Sequence, residues 1–255
     1  MNKIAVVTGA SKGIGAATAL AFGRAGYDVV VNYRTDTKSA QNIVQQIERY
    51  GQKALAVKAH VFTENGIKEL FNVVKSEFSR IDVLVNNAGD PNEPEFGKYT
   101  CEDINRSLGS NFGATVLCTQ EAVKLMNKGS ILFTSSIYGL PFGGNPGLAL
   151  YSAGKAAMIN FTQTMAEKLS PNIRCNVVAP GTTRTPTWDG VAQEYIDRSL
   201  GMTLQKEWVE ADEIADTFVF LAEAPHITGQ TITVDAGWQK KIRGVNIKTR
   251  RGNKE

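Results

Sequence analysis

Short apolar runs alternate along the chain with longer stretches in which apolar residues recur at helical spacing, a pattern that predicts repeated βαβ units. Seven runs have the length and composition of strands: residues 4–8, 28–32, 54–59, 83–86, 130–134, 174–179 and 231–234. Six helices are predicted between them: residues 14–25, 38–50, 64–79, 100–126, 151–169 and 211–222.

The strand runs are apolar throughout rather than at alternate positions, which indicates burial on both faces of the sheet. Such a sheet is parallel and covered by helices. The predicted fold class is α/β: a single-domain doubly wound Rossmann fold whose central parallel sheet of about seven strands is flanked by helices on both faces. We expect this domain to span residues 1–238 and to bind ligands at the carboxyl ends of its strands.

Composition excludes several classes of protein. The chain has 255 residues, of which 42% are apolar and 21% charged, as in ordinary globular domains. No apolar run reaches the roughly 18–20 residues of a membrane span, and the chain begins directly with a strand, so we expect a cytoplasmic protein without a membrane partner. The three cysteines and two histidines lack metal-ligand spacing, which predicts no metal site and buried free thiols.

The formal net charge of +3 is unevenly distributed. Residues 239–255 contain seven basic side chains and one acidic one, whereas residues 1–238 contain 21 basic and 24 acidic ones. A nucleic-acid-binding domain carries its basic residues on the folded surface, so this distribution argues against a nucleic-acid partner. We expect the basic C-terminal extension at 239–255 to be a solvated chain end; docking on a neighbouring subunit and an acidic partner are the alternatives.

A glycine-rich turn at residues 8–15 joins the first predicted strand to the first helix. Glycines allow the backbone to approach a pyrophosphate, whose charge is stabilised by the free N–H groups of the helix start. A purely structural turn is the alternative, but the position between strand and helix favours a dinucleotide. The residues of this turn expected to contact the cofactor are Gly9, Ser11, Lys12, Gly13, Ile14 and Gly15.

The end of the second strand predicts which form of the cofactor is bound. An acid there would bind a free ribose 2′-hydroxyl, whereas a nearby cation would bind a 2′-phosphate. The strand ends without an acid, and Asp36 is expected to start the next helix. Arg34 and Lys12 together can contact a phosphate, so NADP(H) is favoured over NAD(H), with two solvated cations as the alternative.

Tyr151 and Lys155 are one helical turn apart and share a helix face. A nearby cation favours the phenolate and lowers the pKa of a tyrosine, which then exchanges a proton with an alcohol or carbonyl oxygen. Ser136 follows the strand at 130–134 and can hydrogen-bond the same oxygen, with Ser135 as the fallback. Asn111, in the preceding helix, can anchor a water that leads to the lysine.

These motifs occur in a specific order: residues 8–15, 82–89, Asn111, Ser136, Tyr151 with Lys155, 180–185 and 228–235. On them the chain resembles the short-chain dehydrogenase/reductase family from residue 3 to about 238. Within that family it is most similar to 3-oxoacyl-acyl-carrier-protein reductases and to sugar dehydrogenases.

The resemblance implies a role for each matching position. Tyr151 would be the acid/base, Ser136 would orient the reacting oxygen, and Lys155 would bind the nicotinamide ribose and lower the pKa of the tyrosine. Asn111 would support a proton relay. His60 replaces an acid that is usual in the family. The implied cofactor contacts beyond the glycine turn are Arg34, His60, Val61, Asn87, Ala88, Gly89, Tyr151, Lys155, Pro180, Gly181, Thr183 and Thr185.

The resemblance also implies an activity: NADP(H)-dependent hydride transfer between nicotinamide and a carbonyl or secondary alcohol. A 3-oxoacyl thioester is the favoured substrate, and a sugar or other alcohol is the alternative. Acyl carrier protein would then be a partner, with Lys124, Lys128 and Arg174 as candidate docking cations, although Pro171 stands where the family often has arginine. A homodimer or homotetramer is implied as well. A catalytically dead, cofactor-binding scaffold is disfavoured because all four catalytic positions are present.

Three segments are expected to surround the substrate. Residues 183–208 correspond to the family's mobile lid, and we expect a helical segment that packs its aromatic side chains inward; substrate contact by Trp188 is the alternative. Loops 90–99 and 139–150 are expected to form the other walls. The stretch 139–147 is longer than the family's usual loop.

Overall fold

A computed structural model describes residues 2–238 of the chain; the basic extension at 239–255 lies outside the described residues. This part of the chain forms nine strands: β1 (Ile4–Val7), β2 (Asp28–Tyr33), β3 (Ala54–Lys58), β4 (Val83–Asn86), β5 (Gly129–Thr134), β6 (Ile173–Pro180), β7 (Thr183–Arg184), β8 (Val209–Glu210) and β9 (Thr231–Val234). The same residues form eight α-helices: α1 (Gly13–Arg24), α2 (Thr37–Arg49), α3 (Glu64–Phe78), α4 (Cys101–Leu108), α5 (Ala114–Val123), α6 (Ala149–Lys168), α7 (Gln193–Gly201) and α8 (Ala211–Glu223).

Seven strands form one parallel sheet in the order β3-β2-β1-β4-β5-β6-β9, which confirms the predicted doubly wound fold. The chain builds the sheet outward from β1 to β3 and then returns to the other side of β1 with β4. The connections on the two sides of this reversal diverge and leave a crevice at the carboxyl ends of the strands. A second, two-stranded sheet pairs β7 with β8.

Both faces of the central sheet are buried, as the uniformly apolar strands predicted. Val6 and its neighbours on one face pack against α3, α5 and α6, and the core there includes Leu70 and Met158. Val7 and its neighbours on the other face pack against α1, α2 and α8, with Phe22 and Phe218 at the centre. Because each such side chain contributes about 1.5–3 kcal/mol on burial, the two layers hold the strand ends in fixed positions.

The helix predicted over 100–126 is divided in the structure. A π-helical turn, Gly109–Gly113, joins α4 to α5. Within that turn the side-chain amide nitrogen of Asn111 donates to the Ser107 carbonyl oxygen at 3.0 Å. In a regular α-helix that carbonyl oxygen would accept from a backbone N–H group. π-helical turns of this kind occur often at functional sites, and this one contains a predicted catalytic residue.

Two of the three cysteines, Cys118 and Cys175, are buried free thiols as predicted, whereas Cys101 is exposed because it is the first residue of α4. Among the helices of residues 2–238, none combines the length and the apolar composition that crossing a membrane requires.

Candidate active site

A cavity of about 760 Å³ opens at the carboxyl ends of the central strands. It lies where the strand order reverses between β1 and β4, the position at which doubly wound sheets bind ligands. All residues predicted to contact the cofactor line this cavity: Gly9, Ser11, Lys12, Gly13, Ile14, Gly15, Arg34, His60, Val61, Asn87, Ala88, Gly89, Tyr151, Lys155, Pro180, Gly181, Thr183 and Thr185. Ser136 of the predicted catalytic group lines it as well.

The glycine turn has the backbone geometry that a pyrophosphate needs. Gly9 (φ +63°) and Gly13 (φ +56°) adopt left-handed conformations that favour glycine. A Cβ at Gly15 would overlap the Gly9 carbonyl oxygen, so glycine is required for the start of α1 to pack on the turn. The first N–H groups of α1 have no capping side chain, because Lys12 makes no such bond. These features fit the diphosphate of a dinucleotide.

Asn32 fixes the glycine turn to the sheet, a role that the sequence did not reveal. Its buried amide oxygen accepts from Gly9 N at 3.3 Å, and its amide nitrogen donates to the carbonyl oxygens of Val57 at 3.3 Å and Ala59 at 3.0 Å. Its backbone carbonyl accepts from Ala10 N at 2.7 Å. A polar residue near the end of an otherwise apolar strand was the only signal that pointed to this position.

Two cations, Lys12 and Arg34, have exposed side chains at the rim of the cavity. Asp36, also at the rim, caps α2 as predicted: its carboxylate accepts from Ser39 N at 3.0 Å. That backbone hydrogen bond holds the pKa of Asp36 below its usual range. The Asp36 carboxylate therefore caps a helix, whereas the side chains of Lys12 and Arg34 remain exposed at the cavity. His60 is exposed beside the same cavity.

Tyr151, Ser136 and Lys155 meet at the cavity from two neighbouring elements. The first two turns of α6 carry Tyr151 and Lys155, and Ser136 follows β5. The Ser136 hydroxyl lies close enough to the Tyr151 phenol to lower its pKa. The Lys155 Nζ atom lies 5.4 Å from the centre of the Tyr151 ring and donates to the Thr134 carbonyl oxygen at 2.7 Å.

Burial determines how Tyr151 and Lys155 ionise. It raises the pKa of Tyr151 to about 12, against a smaller lowering effect of the Ser136 hydrogen bond. It also lowers the pKa of Lys155 to about 8, because burial disfavours the charged form. The structure therefore differs from the prediction of a lowered tyrosine pKa. Burial outweighs the lowering effect of Ser136 on the pKa of Tyr151, and the Lys155 ammonium group donates to a backbone carbonyl instead.

Ser136, rather than the fallback Ser135, is placed beside Tyr151. The Ser135 hydroxyl donates to the Lys155 carbonyl oxygen at 2.9 Å and is thereby bound to the backbone of α6. Ser136 instead accepts from Tyr138 N at 3.1 Å, at the start of the 3₁₀ turn Ile137–Gly139.

Asn111 is fully buried behind the cavity wall. Its amide oxygen accepts from Asp90 N at 3.0 Å, and its amide nitrogen donates to the Asp90 carbonyl oxygen at 2.6 Å. A Cβ added at Gly89 would lie 2.9 Å from Asn111 Oδ1 and 3.4 Å from Lys155 Nζ, so the asparagine and the lysine approach each other across this glycine. A relay role for Asn111 stays a prediction; its visible contacts hold the loop that follows Gly89.

The expected inward packing of the aromatic residues in 183–208 is only partly met. Trp188 lines the cavity and is supported by the Trp208 ring, edge-on at 4.8 Å, and by Tyr195 at 6.1 Å. Tyr195 itself is 56% exposed. The other expected walls are present in the loops 90–99 and 139–150, and their cavity-lining residues are Asp90, Pro91, Asn92 and Leu148.

The predicted docking cations do not flank the cavity of their own chain. Lys124 follows the last residue of α5, Lys128 immediately precedes β5, and Arg174 is the second residue of β6. These positions are at the amino edge of the sheet, and the six residues of β5, at about 3.3 Å each, separate Lys128 from the cavity by roughly 20 Å. Arg174 in addition donates to the carbonyl oxygens of Leu221, Ala222 and Ile227.

Fold and site together define a dinucleotide-binding α/β protein whose cavity contains a tyrosine and a lysine one helical turn apart. The family profile described as Enoyl-(Acyl carrier protein) reductase matches residues 9–239. The chain belongs to the short-chain dehydrogenase/reductase family and is therefore an NAD(P)-dependent oxidoreductase.

Individual relatives match nearly the whole chain. A 3-oxoacyl-[acyl-carrier-protein] reductase of Synechocystis sp. is 40% identical over 92% of this chain and 96% of its own length. A protein of the same name from Staphylococcus epidermidis is 37% identical over 93% and 99%. Among solved structures, a short chain dehydrogenase of Burkholderia cenocepacia in complex with NADP has a TM-score of 0.86 at 32% identity and covers 93% of this chain and 98% of its own. The acetoin dehydrogenase YohF of Salmonella typhimurium has a TM-score of 0.85 at 27% identity, covering 94% and 97%.

Proposed function

We propose that this chain is an NADP(H)-dependent reductase of 3-oxoacyl thioesters. The observation that carries the proposal is the meeting of Ser136, Tyr151 and Lys155 at the cavity that also contains the glycine turn. The names of the relatives from Synechocystis and Staphylococcus epidermidis support the substrate class. The Burkholderia structure with NADP supports the cofactor, as do the exposed Lys12 and Arg34 at the rim.

In this proposal the bound cofactor supplies the hydride, and the chain orients the substrate and supplies a proton. Ser136 donates a hydrogen bond to the substrate carbonyl oxygen and holds it beside Tyr151. Tyr151, kept protonated by burial, gives its phenolic proton to that oxygen as negative charge develops there. Lys155, charged at neutral pH, stabilises the phenolate that remains, and Asn111 supports a proton relay behind it.

The residues proposed to bind the cofactor are divided among its diphosphate, its 2′-phosphate and its nicotinamide half. The uncapped start of α1 suits the diphosphate, and the two rim cations suit a 2′-phosphate. Thr185 lies against the glycine turn, since a Cβ at Gly13 would be 3.3 Å from its methyl group. Pro180, Gly181 and Thr185 are assigned to the nicotinamide half, and the remaining cavity-lining residues assigned to the cofactor are Asn87, Ala88, Gly89 and Thr183.

A dehydrogenase of sugars or other alcohols is the second candidate, and the charge of the walls favours it. Segments 90–99 and 183–208 carry seven acidic and four basic side chains between them, and 139–150 carries no charged residue. A cavity entrance with more acidic than basic side chains repels an acidic carrier protein rather than attracting it. The structural similarity to an acetoin dehydrogenase points in the same direction.

One panel of substrates, followed by NADPH absorbance, tests the function. We expect reduction of acetoacetyl-N-acetylcysteamine and of acetoacetyl-acyl-carrier-protein by NADPH, and slower turnover of acetoin with NADPH and of butanediol and glucose with NADP⁺. Tyr151→Phe should lower kcat at least about a thousandfold while changing the NADPH Kd less than twofold, because it removes the proton donor and little else. Turnover of alcohols but not thioesters would overturn the substrate class. Survival of turnover in Tyr151→Phe would overturn the mechanism, and no turnover of any compound would favour the dead scaffold.

We further propose a cytoplasmic enzyme that assembles as a homodimer or homotetramer. Residues 1–238 would be its catalytic domain, and the basic extension at 239–255 an addition outside the catalytic pattern. Acyl carrier protein is a partner only under the thioester assignment. Light scattering of the full chain measures the state of assembly.

A further inference from the structure

The first turn of α6, which carries Tyr151, is capped by a residue from a distant loop. The first four N–H groups of a helix have no partner within it. Leu148, the residue at the N-cap position, offers no side-chain acceptor. The carboxylate of Glu93 fills that place: it accepts from Leu150 N at 3.2 Å and from Tyr151 N at 2.8 Å. A negative charge is favourable at this end of a helix.

Glu93 is itself held in place within loop 90–99. The Tyr99 hydroxyl donates to Glu93 Oε1 at 2.7 Å, and the Phe96 ring packs edge-on against Tyr99 at 5.8 Å. The start of the same loop is bound to Asn111 through both backbone groups of Asp90. The loop is therefore attached at one end to the π-helical turn and at its middle to the catalytic helix.

This attachment joins two sides of the cavity. Asp90, Pro91 and Asn92, the three residues immediately before Glu93, line the cavity. The N–H groups that donate to the Glu93 carboxylate belong to the helix that carries Tyr151 and Lys155. One carboxylate thus links a substrate-side wall to the backbone nitrogen of the proposed proton donor.

Stability alone does not account for such a link. A Ser, Thr, Asp or Asn at position 148 would cap α6 locally and would contribute about 1 kcal/mol without ordering any other segment. The cap instead comes from 58 residues away and orders a loop without regular secondary structure. Ordering that loop costs conformational entropy, which a local cap would avoid.

We propose that Glu93 is a positioning residue, whose carboxylate sets the distance between the wall at 90–92 and the Tyr151 phenol. The inference rests on the proposed role of Tyr151 as proton donor. A substrate that contacts the wall then presents its carbonyl oxygen to Tyr151 in a reactive geometry, and a displacement of about 1 Å at such a site costs up to a hundredfold in rate.

Three variants test the proposal with acetoacetyl-N-acetylcysteamine as substrate. Glu93→Gln keeps the length of the side chain but removes its charge and one acceptor. Tyr99→Phe keeps the cap and frees the carboxylate from its own loop. Glu95→Gln is the matched control, because Glu95 lies in the same loop and only forms an exposed ion pair with Lys98. For each variant, kcat, KM, the NADPH Kd and the midpoint of thermal unfolding are measured.

We expect Glu93→Gln to lower kcat about tenfold or more and to raise KM, with the NADPH Kd changed less than twofold. Tyr99→Phe should change kcat and KM in the same direction by a smaller factor, and Glu95→Gln should match the wild type. A cap that is only structural would lower the unfolding midpoint and leave kcat and KM at 25 °C unchanged, which would overturn the proposal. Should Glu93→Gln fail to fold, unchanged kinetics in Tyr99→Phe would overturn it equally.

A second readout separates this proposal from the proposed function. Amide hydrogen exchange at Leu150 and Tyr151 reports the link itself and needs no substrate. Glu93→Gln should accelerate exchange at both amides and throughout 90–99, and Glu95→Gln should not. If exchange is unchanged in Glu93→Gln, the link is wrong whatever the substrate. If exchange responds but Tyr151→Phe retains turnover, the proposed function fails and the link stands.

Discussion

Tyr151 and Lys155 are four residues apart on one helix, and the same burial shifts their pKa values in opposite directions. The pKa of the phenol is raised to about 12, and the pKa of the ammonium group is lowered to about 8. Burial keeps each group in its neutral form over a wider pH range. At pH 7 the pair therefore consists of a protonated phenol and a charged lysine, which is the state that the proposed carbonyl reduction requires.

We predict that kcat/KM for carbonyl reduction falls above pH 8. Lys155 loses its charge there and ceases to stabilise the phenolate, whereas Tyr151 stays protonated up to about 12 and contributes no change below pH 10. A profile from pH 6.5 to 10 should show one descending limb with its midpoint near 8. A level profile to pH 9.5 would contradict the assignment of this limb to Lys155.

A second prediction at the scale of single residues concerns the rim cations. Lys12→Ala and Arg34→Ala should each raise the Kd for NADPH about tenfold, since a charge-assisted hydrogen bond to phosphate is worth at least about 1.4 kcal/mol. The Kd for NADH should change less than twofold, because NADH has no 2′-phosphate. Fluorescence titration measures both constants. Arg49→Ala, an exposed cation at the far end of α2, is the control. Equal weakening of NADH and NADPH would show that the cations do not select the phosphate.

At the scale of elements, the active site is built where helices depart from regularity. The π-helical turn Gly109–Gly113 places Asn111 against Asp90, and α6 begins without a local cap and takes one from Glu93. Both irregularities hold the same loop, 90–99. A regular helix over 100–126 and a locally capped α6 would leave that loop without its two attachments.

The regular elements could be predicted from the sequence because their signals are local. Strands β1 and β4 are buried at every position, so their uniformly apolar composition indicated a sheet covered on both faces. The glycine turn and the spacing of Tyr151 and Lys155 are likewise contained in short stretches. Asp36 was expected at the start of α2 and caps it.

The remaining features depend on contacts between distant residues, which no local pattern encodes. Glu93 meets Tyr151 across 58 positions, and Asn32 meets Gly9 across 23. The direction of the Tyr151 pKa shift follows from burial by the folded chain, so the spacing to Lys155 alone predicted it wrongly. The distance of Lys128 from the cavity likewise depends on the fold, because β5 places this residue at the edge of the sheet opposite the cavity.

At the scale of the whole molecule, buried ionisable groups make stability depend on alkaline pH. Burial raises the pKa of the Cys118 and Cys175 thiols from 9.0 to about 12. The folded state keeps these protons between pH 9 and 12 and the unfolded chain loses them, so both thiols lower the stability as the pH rises. Burial lowers the pKa of Lys155 from 10.5 to about 8, so this group raises the stability between pH 8 and 10.5.

We predict that replacing both buried thiols changes the pH dependence of the free energy of unfolding. At pH 10 each thiol costs about 1.4 kcal/mol relative to neutral pH, so two thiols offset most of the gain from Lys155. The wild type should lose a little stability from pH 7.5 to 10, because burial also raises the pKa values of Tyr27 and Tyr151 to about 12. The double variant Cys118→Ala and Cys175→Ala should be less stable than the wild type at pH 7.5, because it leaves cavities, but this deficit should shrink by about 3 kcal/mol by pH 10. Urea unfolding at fixed protein concentration measures both curves, and Cys101→Ala, which removes an exposed thiol, should run parallel to the wild type. Because the thiols are the only difference, parallel curves for the wild type and the double variant would show that Cys118 and Cys175 ionise alike in the folded and unfolded chain.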